Sequence, residues 1–145
     1  MKWLVGGIFV MLASIVSTFG FWLLEPPNPP SVSIEQSARG ANGVPQTEFR
    51  AGEVLYIYSQ QRVLRIVPRT ATQSIWNEDT QTMAARYSTL LSPTPTVEGI
   101  LFPVPLPTHL EPGNYTHRVK IDYVLNPLRR DEYFNLPNVH FKIVK

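Results

Sequence analysis

Three histidines, His109, His117 and His140, are the first residues in this sequence that chemistry would recruit. A metal site needs ligands that converge, and these do not share a ligand spacing. His109 falls in a proline-rich turn, His117 on the inward side of an alternating stretch, and His140 on the outward side of another. A satisfied structural role is the expectation for them, with no metal and no cofactor. The chain has 0 cysteines, which removes thiol catalysis, cysteine-bound zinc, disulfides and a lipid anchor on cysteine. Nucleophilic catalysis would need Ser or Thr beside a His and a carboxylate, and no G-x-S-x-G elbow occurs. Glu78-Asp79 and Asp131-Glu132 are adjacent carboxylates. Neighbours in sequence diverge on a strand or decorate a turn, so these read as solvated loop charges and not as an acid and base facing a substrate. No glycine-rich phosphate loop is present. The expectation is a protein that is not an enzyme, with an envelope hydrolase the weakest alternative.

Recognition is better supplied. Tyr56, Tyr58, Trp76, Tyr87, Phe102, Tyr123, Tyr133 and Phe134 exceed what polar chemistry would require, and most must fill a core. The segment Leu128 to Phe134 joins two strand-like stretches and combines Arg129 and Arg130 with Tyr133 and Phe134. Arginine and aromatics are enriched where interfaces concentrate their energy, so these four are the expected partner-binding residues. The bland reading of Tyr133 and Phe134 is that they fold back over the end of the core. Pro93-Thr94-Pro95 and Val104 to Pro107 fit polyproline docking, but proline more often blunts edge strands. With 13 basic and 11 acidic residues the net charge is +2. Arg62, Arg65 and Arg69 are dispersed, and Arg129-Arg130 is answered at once by Asp131-Glu132, so no nucleic-acid footprint exists.

Such loops need a scaffold, and the alternation supplies one. From Tyr115 to Leu125, Tyr115, His117, Val119, Ile121, Tyr123 and Leu125 share one face while Thr116, Arg118, Lys120 and Asp122 share the other. Val139, Phe141 and Ile143 repeat the pattern. Other strand signals are Ser31 to Glu35, Glu53 to Tyr58, Val63 to Val67, Thr72 to Trp76 and Gly99 to Val104, with Ser59 to Arg62 suited to a hairpin. Gln81 to Leu91 fits a short helix or a strand and is read as strand or irregular structure. Ala38 to Pro45 reads as an exposed loop. About seven strands with Pro- and Gly-marked turns predict a mainly β domain over 31–145, an antiparallel two-sheet sandwich.

Leu110-Glu111-Pro112-Gly113-Asn114-Tyr115, followed by the long alternating strand, resembles immunoglobulin-like and fibronectin-type sandwiches. The resemblance implies that Tyr115 is a corner tyrosine bonded back to the backbone, that Tyr115 to Leu125 is the strand before the last, and that Val139 to Val144 closes the fold. The paired cysteines of antibody domains are missing, and Trp76 is not where their core tryptophan would stand, so the likeness is to the broad superfamily.

Residues 3–24 carry no ionisable side chain. As a helix at 1.5 Å per residue they span about 33 Å, enough for a hydrocarbon core of about 30 Å. A cleaved signal peptide is the competitor, with Thr18-Phe19-Gly20 its best site, but the apolar run continues through Leu24, which favours a retained anchor over 1–24. Lys2 before the helix and Glu25 behind it place the amino terminus in the cytoplasm. Residues 25–30, with four prolines, read as a stiff spacer holding the domain just off the bilayer. The expectation is a single-pass inner-membrane protein, bacterial or phage-encoded, whose periplasmic domain tethers a protein partner. Confinement to a layer raises the effective concentration for that partner. Self-association through Gly6, Gly7, Ala13, Ser14, Ser17 and Gly20 stays open as the alternative, although their spacing is not a clean G-x-x-x-G.

Overall fold

The computed structural model describes residues 2–26, 28–91, 99–128 and 132–145. It consists of one apolar helix and a mainly β domain built of two sheets. Helix α1 (Lys2–Leu24) is long and apolar enough over Gly6–Leu24 to cross a membrane, a test that a signal sequence also passes. It stops where Pro26 removes the next backbone donor.

The strands are β1 (Ser31–Arg39), β2 (Glu48–Arg50), β3 (Val54–Val63), β4 (Arg69–Asn77), β5 (Thr82–Leu91), β6 (Ile100–Pro105), β7 (Gly113–Tyr123), β8 (Glu132–Asn135) and β9 (Val139–Val144). One sheet has the order β1-β3-β6; the other runs β2-β9-β7-β4-β5, with β8 also pairing β7. The second sheet is mixed, which corrects the antiparallel expectation: β2 runs parallel to β9, with Phe49 opposite Ile143. Chain order explains the exception. The stretch after β1 crosses from the first sheet to the second and reaches β9 on its free edge, where Lys142 N–H also donates to Thr47 C=O at 2.7 Å.

Alternation places the core between the sheets. Leu55 and Ile57 of β3, Ile75 of β4, Val104 of β6, Tyr115 of β7 and Phe141 of β9 are all buried in one cluster. The expected hairpin at Ser59 to Arg62 does not form. Gln60, Gln61 and Arg62 instead continue β3, because β1 offers a full ladder to pair with: Glu35, Ser33 and Val32 lie opposite them. Ala38 and Arg39, expected in a loop, close the other end of that ladder, and the turn begins at Gly40. Of Gln81 to Leu91, Thr82–Leu91 forms strand β5, and Gln81 lies in the turn before it with φ 56°. β2 and β8 had no legible signal; three and four residues are too few to show alternation.

The segment between α1 and β1 is bonded to the domain. Pro30 C=O accepts from Leu64 N–H at 2.8 Å and Arg65 N–H at 3.1 Å, Arg65 pairs with Glu25, and Asn126 Nδ2 donates to Glu25 at 2.9 Å and to Trp22 C=O at 3.1 Å. The last of these satisfies a helix-end carbonyl that has no partner within α1. Pro26 C=O accepts from Asn28 N–H at 2.8 Å within the spacer, while the carbonyls of Asn28 and Pro30 turn to the domain.

Tyr115 ties the far end. Its hydroxyl donates to Glu111 C=O at 2.9 Å and accepts from Asn77 Nδ2 at 3.2 Å, while its ring stacks on Phe141 at 5.9 Å. Tyr115→Phe keeps the stacking and removes both hydrogen bonds, so urea unfolding of the full chain in detergent should show a loss of about 1–2 kcal/mol with the slope unchanged. No loss would mean that the hydroxyl is not holding the corner.

Candidate binding face

β7 divides its side chains between two environments. Its odd residues enter the core, and its even residues, joined by those of β4, build the outer face of the larger sheet. Register sets them in rows. Ser74 lies opposite Arg118 and Arg86, Thr72 opposite Lys120, and Trp76 opposite Thr116 and Met83. The guanidinium of Arg118 sits 4.9 Å from the Trp76 ring centre, and Trp76 Nε1 donates to Ser74 Oγ at 3.0 Å. Lys120 Nζ lies 4.6 Å from the Tyr133 ring centre and 2.6 Å from Asp122. Between these rows opens a trough of about 590 Å³, bordered by Trp76, Met83, Arg86, Arg118, Lys120 and Asn135. It offers cations and aromatic faces together, the combination that anchors protein interfaces.

At one end of the face Glu78, Thr116 and His140 meet. The Thr116 hydroxyl donates to Glu78 Oε1, and His140 Nδ1 lies 2.7 Å from the same oxygen and 3.2 Å from Thr116 Oγ1. The Thr116 hydrogen bond, followed by His140, holds the Glu78 carboxyl below its usual range. The residue types are those of a nucleophile, base and acid, but the wiring differs. A relay uses the two ring nitrogens of histidine for different partners, whereas here Nδ1 serves both, and Thr116 is 0% exposed. Asp79, its neighbour, accepts from Asn114 N–H at 3.0 Å and Asn114 Nδ2 at 3.2 Å, which lowers its pKa. The two carboxylates diverge as expected but are turn fasteners, not idle charges.

Inside the sheets lies a second polar cluster. Gln36, Ser59 and Gln61 from the smaller sheet face Gln73 and His117 from the larger one around a cavity of about 40 Å³. A volume of that size holds water and is far below the roughly 300 Å³ at which ligand pockets begin. His117 Nε2 lies 3.0 Å from Gln73 Oε1, while Nδ1 and Gln36 Oε1 have no protein partner. Burial pushes His117 down to about 4.

The residues expected to bind a partner are divided by the structure. Arg129 and Arg130 lie outside the described residues. Tyr133 is 59% exposed beside Lys120 on the outer face. Phe134 turns inward, 6.0 Å from Tyr123 in an edge-on contact, and covers the end of the core. Trp76, Arg86, Arg118 and Lys120 were not singled out from sequence; the even positions of the long strand carried the signal, but only pairing with β4 joins them to Trp76. Of the histidines, His117 is buried as expected, His109 is exposed in the turn before Leu110, and His140 is exposed on the outer side. Among the described residues no three His, Asp or Glu side chains are grouped to hold a metal ion.

His117 gives the domain a pH dependence. Its folded pKa of about 4 lies below the ordinary 6.5, so the stability of the neutral buried ring is complete above 6.5 and is lost as pH falls toward 4. At about 1.4 kcal/mol per unit the whole loss is about 3 kcal/mol. Urea unfolding of the full chain in detergent at pH 7 and pH 5 reads most of it above the range where Glu78 and Asp79 protonate. His117→Gln should remove the difference, and an equal fall in the variant would assign it elsewhere.

Compared with known proteins, the chain matches no family model and no curated protein, so its geometry alone carries the functional reading.

Proposed function

We propose that this protein is a membrane-anchored, outward-facing binding module: α1 stays in the inner membrane, and an immunoglobulin-like sandwich presents the outer face of its larger sheet to a protein of the cell envelope. Three features support the sandwich assignment. The strand order sets β1-β3-β6 against β2-β9-β7-β4-β5. The first two strands are divided between the sheets, with β2 parallel to the last strand. The Tyr115 hydroxyl bonds to a carbonyl four residues upstream, as corner tyrosines do. Retention of α1 is supported by its apolar run to Leu24 and by the hydrogen bonds that join its last turn to the domain.

The observation that carries the binding role is the trough in which Arg118 stacks on Trp76 beside Arg86, Lys120 and Tyr133. Flat arginine and aromatic surfaces held by a rigid sheet lose little entropy on docking, and the cationic border favours a partner segment rich in Asp or Glu. Tyr133 remains the contributor expected from sequence, with Arg129 and Arg130 beside it in the chain.

Spheroplasts test this reading. Protease added outside should digest the domain and leave a fragment the size of the anchor. A photocrosslinker at Ser74 should capture an envelope protein, and the Trp76→Ala, Arg118→Ala double variant should reduce that capture about tenfold or more, the scale of hot-spot loss. A protected domain would overturn the orientation. Capture unaffected by the double variant would overturn the face, and adducts only with another copy of this chain would replace a foreign partner with self-association.

A further inference from the structure

We propose that the anchor-proximal end of the domain rests in the headgroup layer of the bilayer that α1 crosses, with Leu64 and Ile66 as its lipid contacts. This rests on the reading of α1 as a retained membrane helix. The decisive contact is Asn126 Nδ2 to Trp22 C=O at 3.1 Å, because it places a domain side chain level with the last turn of α1. A tryptophan at the end of a membrane helix belongs at the headgroup level. Whatever is held beside its carbonyl is held at that depth.

The surroundings suit lipid. Leu64 and Ile66 are 57% and 60% exposed, and they flank Arg65, whose guanidinium is tied to Glu25. Phe21 of α1, Val32 of β1 and Leu64 line a shared groove of about 520 Å³ between helix and domain. Val67, the next core residue after this loop, packs with Tyr123 and Leu125, so Leu64 and Ile66 project from a fixed base. Glu25, the first charge after the helix, has a side chain only 10% exposed and is neutralised by Arg65. A paired acid costs less at low dielectric than a bare one. Exposed apolar residues carried on a rigid end, beside a helix that enters lipid, mark a membrane-facing surface.

The absence of cysteine makes the test direct. Single-cysteine chains, Ile66→Cys, Thr108→Cys and Ile15→Cys, are labelled with an environment-sensitive fluorophore and reconstituted full-length in vesicles of phosphatidylcholine and phosphatidylglycerol. Thr108 lies toward the opposite end, where Val54 pairs with Pro105, and Ile15 is in the middle of α1. The Ile66 label should be quenched by shallow lipid-borne quenchers and be about fivefold less accessible to aqueous iodide than the Thr108 label. If Ile15 is quenched by deep lipid quenchers while Ile66 is as open to iodide as Thr108, the anchor stands and this inference fails. If Ile15 is itself open to iodide, both fail. An Ile66 label shielded from iodide yet untouched by lipid quenchers would mean that protein covers the loop, and would also overturn the proposal.

Discussion

The pairing of β7 is the constraint on which the rest depends. It holds β4 on one side and, on the other, β9 along its first half and β8 along its second. Its side chains therefore face both the core and the outer surface in a register fixed by three neighbours. A slip of one residue would send Tyr115, Val119 and Ile121 to solvent and carry Arg118 and Lys120 into an apolar interior. No compensation exists for that exchange, because burying unpaired cations costs more than any hydrogen bond regained. The same alternation that folds the domain thus sets the Arg118–Trp76 stack on its surface.

The interior departs from a simple apolar filling where β1 is irregular. Between Ser33 and Glu35 the β1–β3 register shifts, leaving Ile34 as an extra residue that is 56% exposed. The shift exchanges the parity of β1: Ser31 and Ser33 turn inward before it, Gln36 and Ala38 after it. Gln36 and Ser59 therefore meet Gln73 and His117 across the sheets, and the core is split into an apolar upper portion around Tyr115 and Phe141 and smaller clusters around Ile121 and Tyr123. Polar groups in such a place specify how the sheets align only if they are satisfied, and Gln73 supplies His117 with one of the two partners that its ring needs.

What was legible from sequence follows from the range of the forces involved. Alternation in β7 and β9 is a local consequence of one face being buried, so those strands and the inward positions of Tyr115 and His117 could be read residue by residue, whereas the backbone bond of the Tyr115 hydroxyl was implied only by the resemblance. The hairpin expected at Ser59 to Arg62 failed because polar residues mimic a turn locally, and only a long partner strand, β1, reveals them as ladder. β2 is parallel to β9 across more than ninety positions of chain, a pairing no local pattern encodes. The candidate face was half visible: Arg118 and Lys120 as outward positions, Tyr133 as an interface type. Trp76 joined them only through the β4–β7 register, and Phe134 left them because its alternate position faces Tyr123.

The mount between anchor and domain alters what tethering means for the proposed role. A flexible spacer would let the domain sample a hemisphere and dilute the effective concentration of its face. Here Pro30, Glu25 and Trp22 are all bonded to the domain, and Tyr123 O–H reaches Asn28 C=O at 3.4 Å. Arg118 lies five residues before Tyr123 on a continuous strand, about 17 Å along it at 3.4 Å per residue. In the proposed arrangement these bonds would fix the height of the trough above the end of α1, and a partner segment that docks there would have to run within that layer.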